Sequence, residues 1–339
     1  MKRILITGGC GFIGTNFIVD LLKEGYDGNK ICVIDNMSQG AYMNDIHSKV
    51  NMVHGDIRNV SDIEKAVDRI RGVDIIYHFA GLVSIYDCDK NPTDCYDNNV
   101  MGSINVFNMA VQHNVKIVFS ETSAVYEDSE MSSSGFNESQ SNPRTVYSTS
   151  KAAVASLAES YKKLYEMDYV ALRYFNVAGC MQDYTRTVPP LFAGVIIRYM
   201  QGNKPILFGD KTRARDFIHV DDVNAFDRLL LDSKLSGVTV NLGTGDATSL
   251  IEIVEMVADK MGKDADFIQF PEINGEAHTI YADTRSSYML TYADGSGWYA
   301  KKTISDALDD TIAYLKEQDI LGNIPKNFME SLDINDVKI

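Results

Sequence analysis

The stretch Thr7-Gly8-Gly9-Cys10-Gly11-Phe12-Ile13-Gly14 constrains this chain more than any other. It follows a short β-branched run at 3–7 and opens a segment, 12–24, with apolar residues at helical spacing. Glycines at a strand-to-helix junction let the backbone come close to a phosphate, whose charge is favoured by the free amides and dipole of the helix start. Twenty-one residues beyond Gly14 a second apolar run ends at Asp35. A carboxylate there accepts both hydroxyls of an adenosine ribose and repels a 2′-phosphate. Strand, glycine loop, helix and acid together predict a site for NAD rather than NADP.

The rhythm continues down the chain. Apolar runs at 30–35, 50–53, 73–79, 115–120 and 169–174 alternate with helical patterns at 60–70, 94–112 and 145–165. Such alternation builds a parallel sheet covered on both faces by crossover helices. The expected fold class is α/β, a Rossmann-type doubly wound parallel sheet with a smaller mixed α/β C-terminal substrate lobe. After Asn176 the rhythm breaks at Pro189-Pro190, Gly202-Asn203-Lys204-Pro205 and Gly209-Asp210-Lys211, where the second lobe begins. A helix at 220–231 and a strand at 238–242 read as a return to the sheet, so the lobes are interleaved. The expected division is a cofactor domain over 1–175 with a return segment at about 216–245, a substrate lobe over 176–215 and 246–322, and a tail over 323–339. Residues 129–142, rich in Ser, Asn, Gln and Glu, read as a mobile surface loop.

Composition excludes several classes of partner. With 32 basic against 47 acidic residues the net charge is -15, which disfavours sequence-independent binding of nucleic acid or of an anionic membrane surface. No run approaches the ~20 apolar residues of a membrane-spanning helix, and no export signal is readable, so the chain reads as cytoplasmic. The five cysteines (Cys10, Cys32, Cys88, Cys95, Cys180) form no Cys-x-x-Cys pair, which argues against a disulfide framework or a zinc site, and no metal is expected. Cys10, inside the glycine loop, reads as a small filler. An anionic ligand would need a local basic exception to the overall charge.

The glycine loop, Asp35-Asn36-Met37-Ser38, Gly55-Asp56-Ile57-Arg58, His78-Phe79-Ala80-Gly81, Tyr96-Asp97-Asn98-Asn99-Val100, Tyr147-Ser148-Thr149-Ser150-Lys151 and Arg173-Tyr174-Phe175-Asn176 together resemble the extended short-chain dehydrogenase/reductase family. Within it they are most similar to the nucleotide-sugar 4-epimerases related to UDP-galactose 4-epimerase, over residues 1 to about 315. The resemblance implies cofactor contacts from Gly8, Gly11, Phe12, Ile13 and Gly14, from Asp35, Asn36 and Ser38, and from Asp56 and Ile57 at the adenine. It implies further contacts from Phe79, Ala80 and Gly81, from Asn98 near a ribose, and from Ser120, Tyr147, Lys151 and Tyr174. One departure is Val83, where galactose epimerases usually carry Lys after Ala-Gly-Leu.

Tyr147 and Lys151 stand four apart in a helical segment and share a face. A phenol titrates near ~10. A neighbouring ammonium, with the positive nicotinamide, stabilises the phenolate, so Tyr147 can take a proton from a sugar hydroxyl while the carbon beneath gives up hydride. By the resemblance, Thr122 hydrogen-bonds the reacting hydroxyl. Related 4,6-dehydratases carry Asp-Glu at the next two positions and related decarboxylases keep a Glu, whereas this chain has Ser123 and Ala124, neither an acid nor a base. Glu121 is unusual in that turn and reads as a structural or solvated carboxylate.

Lys211, Arg213 and Arg215 supply the local basic exception, just before Asp216-Phe217-Ile218-His219-Val220-Asp221-Asp222. The resemblance gives the diphosphate to Arg215, and the phosphates or sugar to Asn176. Relatives carry a second phosphate-gripping arginine where this chain has Ile273, so either Arg213 or another residue substitutes, or the nucleotide is held differently. His78 and His219 read as packed residues. The expected activity is NAD-dependent 4-epimerisation of a nucleotide diphosphate sugar, a UDP-hexose or UDP-N-acetylhexosamine, by transient oxidation at carbon 4, rotation and re-reduction. The alternatives are a dehydratase, a 5,6-ene processing enzyme or a 4-keto reductase of the same family. A dinucleotide sensor without turnover would typically lack the Tyr and Lys kept here. A homodimer through helices 94–112 and 145–165 is implied by the resemblance.

Overall fold

The computed structural model describes residues 1–38, 45–127, 129, 131, 133–271, 278–290 and 295–329. Its strands are β1 (Ile4–Thr7), β2 (Ile31–Asp35), β3 (Asn51–His54), β4 (Ile75–His78), β5 (Lys116–Thr122), β6 (Tyr169–Tyr174), β7 (Asn176–Ala178), β8 (Ile206–Phe208), β9 (Ala214–Arg215), β10 (Phe217–His219), β11 (Val238–Leu242), β12 (Thr248–Ser249), β13 (Ile268–Phe270) and β14 (Thr279–Ile280). Its helices are α1 (Phe12–Lys23), α2 (Val60–Arg69), α3 (Ile85–Lys90), α4 (Pro92–Tyr96), α5 (Gly102–His113), α6 (Val146–Tyr165), α7 (Leu191–Met200), α8 (Val220–Leu230), α9 (Leu250–Met261) and α10 (Ile304–Ile320).

Seven strands form one parallel sheet in the order β11-β6-β5-β4-β1-β2-β3, the doubly wound α/β architecture expected from the sequence. β1, β4 and β6 are buried at every residue because both faces of the sheet are covered, which is why they read as continuous apolar runs. One core joins Ile6, Phe17, Tyr77, Val223 and Phe226 beneath α1 and α8; the other joins Leu5, Ile34, Ile63, Phe107, Phe119 and Val154 beneath α2, α5 and α6. The strand order reverses between β1 and β4, and ligands of such sheets bind outside the carboxyl ends at that reversal.

The later segment gives α8 and β11 to the sheet domain, with β11 pairing β6 in register from Val238↔Val170 to Leu242↔Tyr174. α7, α9 and α10 pack a separate core around Phe192, Ile196, Leu207, Ile253 and Leu315, flanked by the small sheet β12-β9-β14 and the pairs β10-β7 and β13-β8. Ile324 and Phe328 are buried in this core, so the segment after Asn323 is anchored as far as it is described. No helix among the described residues is long and apolar enough to cross a membrane.

Two local differences from the sequence reading matter for function. The helical pattern at 94–112 is interrupted: α4 passes through one wide π-type turn, Asp97–Met101, before α5. Such turns inside helices frequently mark functional sites. Residues 133–142, the continuously described part of the segment expected to be a mobile loop, are anchored: Phe136 is 2% exposed and bridges Ala282, and Asn142 N donates to Val125 O at 2.7 Å.

Candidate active site

A cleft of about 520 Å³ opens at the carboxyl ends of the central strands. Gly8, Gly11, Phe12, Ile13, Gly14, Phe79, Gly81, Ser120, Thr122, Tyr147, Lys151, Tyr174, Asn176 and Arg215 line it, all of them expected from the sequence.

The glycine loop is a close-packed cradle. A Cβ on Gly8 would lie 2.5 Å from the Ala80 amide nitrogen, and one on Gly14 would lie 2.4 Å from the Gly8 carbonyl oxygen. Gly11 caps α1 without any side-chain cap, and no acidic residue stands in the first turn, so the helix start is free to meet an anion. Asp35 braces the loop, its Oδ2 accepting from Cys10 N at 2.9 Å and its Oδ1 from Met37 N at 2.8 Å. Asn36 Nδ2 donates to Asp56 Oδ2 at 3.1 Å, and Ser38 N to Asn36 Oδ1 at 3.1 Å. The Arg58 guanidinium on Asp56 holds that carboxyl down at about 2. Ile57 packs on Gly102, where a Cβ would meet its Cδ1 at 2.5 Å. Asp35, Asn36, Ser38, Asp56 and Ile57 are thus together at the ends of β2 and β3, beyond the residues that line the large cleft. Asn98 also lies outside that lining, and its buried Oδ1 has no partner. A backbone cradle, an uncapped helix start, a carboxylate one strand away and an orphaned amide oxygen fit a dinucleotide. Cys10 is wholly buried and its thiol is pushed up to about 12, mainly by burial, which makes it the expected inert filler.

The reacting groups sit where β5 meets α6. Glu127 fixes the start of α6, its Oε2 accepting from Arg144 N at 2.9 Å, Thr145 N at 3.1 Å and Ser148 Oγ at 2.8 Å, while Thr145 and Ser148 form a reciprocal capping box. Tyr147 and Lys151 follow one turn apart, and Lys151 Nζ donates to Ser120 Oγ at 3.3 Å. Burial pushes the Tyr147 phenol up to about 12, against the hydrogen bond with Thr122 and the positive charge of Arg186. Burial pulls the Lys151 ammonium down to about 8, opposed by the charge of Glu121. Among the protein's own charges, that of Arg186 opposes this rise of the Tyr147 phenol.

Glu121 proves structural. Its carboxylate takes Arg173 Nε at 2.9 Å and Nη2 at 2.8 Å, and the two side chains are 1% and 4% exposed. Arg173 Nη1 also donates to Tyr126 Oη at 2.8 Å and to the Gln140 carbonyl at 3.1 Å. The histidines are packed as expected. His78 joins Thr7 Oγ1 at 2.7 Å to Ser103 Oγ at 2.9 Å and is pushed down to about 3 by burial. His219 caps α8 by accepting from Asp221 N at 3.0 Å and faces Asp310 Oδ2 at 3.0 Å.

At the substrate end Arg215 lines the cleft while its Nη1 donates to the carbonyls of Ala214 and His278 at 2.9 and 3.1 Å. Asn176 is held by Asp216 O at 3.1 Å and also faces the cleft. Arg213 is 4% exposed and does not line the cleft, so the structure does not bring it to a substrate there. Val83 lies in the lining. Ile273 lies outside the described residues.

Three contributors escaped the sequence reading. Asn99 Oδ1 accepts from Leu82 N at 2.7 Å and its Nδ2 donates to Leu82 O and Ser150 Oγ, both at 3.0 Å, tying the loop after Gly81 to α6. Gln182 and Arg186 line the cleft from the loop before α7. The only signal in that loop was Pro189-Pro190, which marks a break and says nothing of which side chain turns inward.

Fold and site define a dinucleotide-dependent enzyme of the short-chain dehydrogenase/reductase type. The chain belongs to the NAD-dependent epimerase/dehydratase family, whose model matches residues 4–243, and NAD is its cofactor. It is 31% identical over 341 residues to the bifunctional UDP-glucose 4-epimerase and UDP-xylose 4-epimerase 3 of Arabidopsis thaliana, covering 91% of this chain and 94% of that one. Among solved structures it matches the UDP-N-acetylglucosamine 4-epimerase of Methanobrevibacter ruminantium M1 in complex with UDP-N-acetylmuramic acid, at TM-score 0.81 and 28% identity, covering 94% and 99%. It also matches a dTDP-glucose 4,6-dehydratase of Streptomyces venezuelae with NAD bound, at TM-score 0.82 and 26% identity, covering 94% and 98%.

Proposed function

We propose that this protein is a UDP-sugar 4-epimerase acting on a UDP-hexose or its N-acetylated analogue. The carrying observation is the state of the carboxylates in the cleft. Glu121 is locked on Arg173, Glu127 on the start of α6 and Asp183 on Arg186, while Ser123 and Ala124 stand where a dehydratase would need an acid and a base. No described carboxylate of the lining is left to expel water, which favours oxidation and reduction at one carbon.

When bound, NAD supplies the hydride acceptor and donor for carbon 4. Gly8, Gly11 and Gly14 with the start of α1 would hold its pyrophosphate, Asp35 its adenosine ribose, and Lys151 with Ser120 its nicotinamide end. Thr122 orients the sugar hydroxyl, Tyr147 takes its proton and later returns it, and the Lys151 ammonium stabilises the phenolate. Arg215 and Asn176 hold the diphosphate end. The 4-epimerase names of relatives acting on UDP-glucose, UDP-xylose and UDP-N-acetylglucosamine support this reading.

Tyr96, Met101, Leu164 and Tyr165, exposed near the α5 and α6 faces, support a homodimer through those helices. All five cysteines are free thiols, which supports a reducing, cytoplasmic setting. The test is turnover of UDP-glucose and UDP-N-acetylglucosamine in deuterated water, with products read by NMR. The 4-epimer without deuterium at carbon 5 or 6 is expected, and deuterium there would refute simple 4-epimerisation.

A further inference from the structure

Arg186 is presented to the cleft by a tight turn built on Asp183. Asp183 Oδ1 accepts from Thr185 N at 2.9 Å and Thr185 Oγ1 at 2.8 Å, and its Oδ2 accepts from Arg186 Nε at 2.6 Å. The Asp183 side chain is 6% exposed and that of Arg186 24%. The guanidinium is thus anchored through Nε, and among the described residues its two amino groups have no hydrogen-bond partner. Gln182, on the same loop and 5% exposed, donates from Nε2 to Val177 O at 3.1 Å and leaves Oε1 buried without a partner. Both side chains line the cleft.

Two arginines from separate elements line the cleft, Arg215 on β9 and Arg186 on the loop before α7. The charge of Arg186 acts on the Tyr147 phenol, which puts it at the reacting end, while Arg215 is the residue proposed above for the diphosphate. Asp183 pairs the charge through Nε and leaves the two amino donors to the cleft, where a hexose hydroxyl offers a single neutral acceptor and a donor left unpaired on ligand closure costs its desolvation. A carboxylate matches the fork in shape and sign, and a hydroxyl beside it satisfies the orphaned Gln182 oxygen.

We propose that Arg186 and Gln182 form a subsite for an acidic sugar, so that the preferred substrate is a UDP-hexuronate whose carboxylate meets the Arg186 amino groups while a neighbouring hydroxyl donates to Gln182 Oε1. This narrows the UDP-sugar 4-epimerase reading and rests on it.

The test compares UDP-glucuronate with UDP-glucose on the NAD-loaded enzyme, reading kcat/KM with products by NMR and, separately, Kd by calorimetry, in wild type, Arg186→Gln and Arg186→Lys. The wild type is expected to favour UDP-glucuronate by at least about tenfold, the scale of one charged hydrogen-bonded contact. Arg186→Gln is expected to erase that ratio in both kcat/KM and Kd, and Arg186→Lys, which keeps charge without the fork, to fall between. A wild type that prefers UDP-glucose, or equal losses on both substrates, overturns the subsite, the second result giving Arg186 to Tyr147 instead. Epimerisation of UDP-glucose without discrimination would leave the 4-epimerase reading standing. Arg186-dependent, selective binding of UDP-glucuronate without a 4-epimer would support the subsite and refute that reading.

Discussion

Glu121 and Arg173 face each other across β5 and β6, in register and in bidentate contact at 2.8 and 2.9 Å, at the last step before Thr122 and Tyr174. The pair braces the strand ends that carry the reacting hydroxyl, and Arg173 extends the brace to Tyr126 and the carbonyl of Gln140. Removing one partner of a buried pair strands the other's charge, so Glu121→Gln should cost about 3–5 kcal/mol of stability. Urea unfolding measures it. A loss under about 1 kcal/mol would mean that water reaches Arg173.

The glycine cradle makes a graded prediction. Gly14→Ala drives a Cβ to 2.4 Å from the Gly8 carbonyl, and backbone cannot move aside as a side chain can. A loss of about 1–3 kcal/mol, together with loss of NAD binding, is expected. Gly11→Ala meets that same carbonyl at 3.4 Å, an ordinary contact, while Gly11 faces the cleft. It should keep its melting temperature and lose only NAD affinity, read by calorimetric titration. Equal stability losses in the two variants would refute the distinction.

These contrasts show what the sequence could and could not disclose. The sheet was legible because its strands are buried on both faces, so runs such as Ile4–Thr7 and Tyr169–Tyr174 stand out without any alternation. The site was legible wherever spacing carried the information, as with Tyr147 and Lys151 on one helix face or the glycines at one junction. It was illegible where a pairing is made only in three dimensions. Glu121 and Arg173 are 52 residues apart, and Asn99 reaches Leu82 and Ser150 across separate elements. Arg186 and Arg213 show the limit most directly. Both are arginines in irregular segments, yet one faces the cleft and the other is buried away from it.

The buried amine gives the pH dependence of turnover a definite form. Lys151 is pulled down to about 8, chiefly by burial, so its ammonium is present below that pH and is lost as the pH rises through it. If the ammonium supports the Tyr147 phenolate, kcat falls on the alkaline side above about 8. Lys151→Arg keeps the positive charge throughout, because guanidinium does not deprotonate in this range, and should abolish the descending limb even at reduced kcat. Tyr147→Phe should lower kcat by roughly 10²–10⁴-fold while NAD still binds. An unchanged alkaline limb in Lys151→Arg would separate Lys151 from the proton transfer.

Asp227 is a fully buried carboxyl behind the active-site wall, accepting from Tyr174 Oη at 3.3 Å with its Oδ1 unpartnered. Burial raises its pKa well above the usual carboxylate value, opposed by the Tyr174 hydrogen bond and reinforced by the charge of Asp20. The native state therefore keeps the proton at pH values where the unfolded chain, titrating near ~3.9, has released it. Its contribution to stability is whole below that unfolded value and is lost progressively as the pH rises towards the native value. Asn cannot ionise in either state and still accepts from Tyr174. Asp227→Asn should accordingly gain on the wild type by up to about 1.4 kcal/mol for each pH unit above ~4, until the native pKa is reached. Urea unfolding of both proteins at pH 5, 6 and 7 gives the slope. Parallel stability curves would mean that Asp227 is ionised in the native protein, and that the wall behind Tyr174 holds a charge rather than a proton.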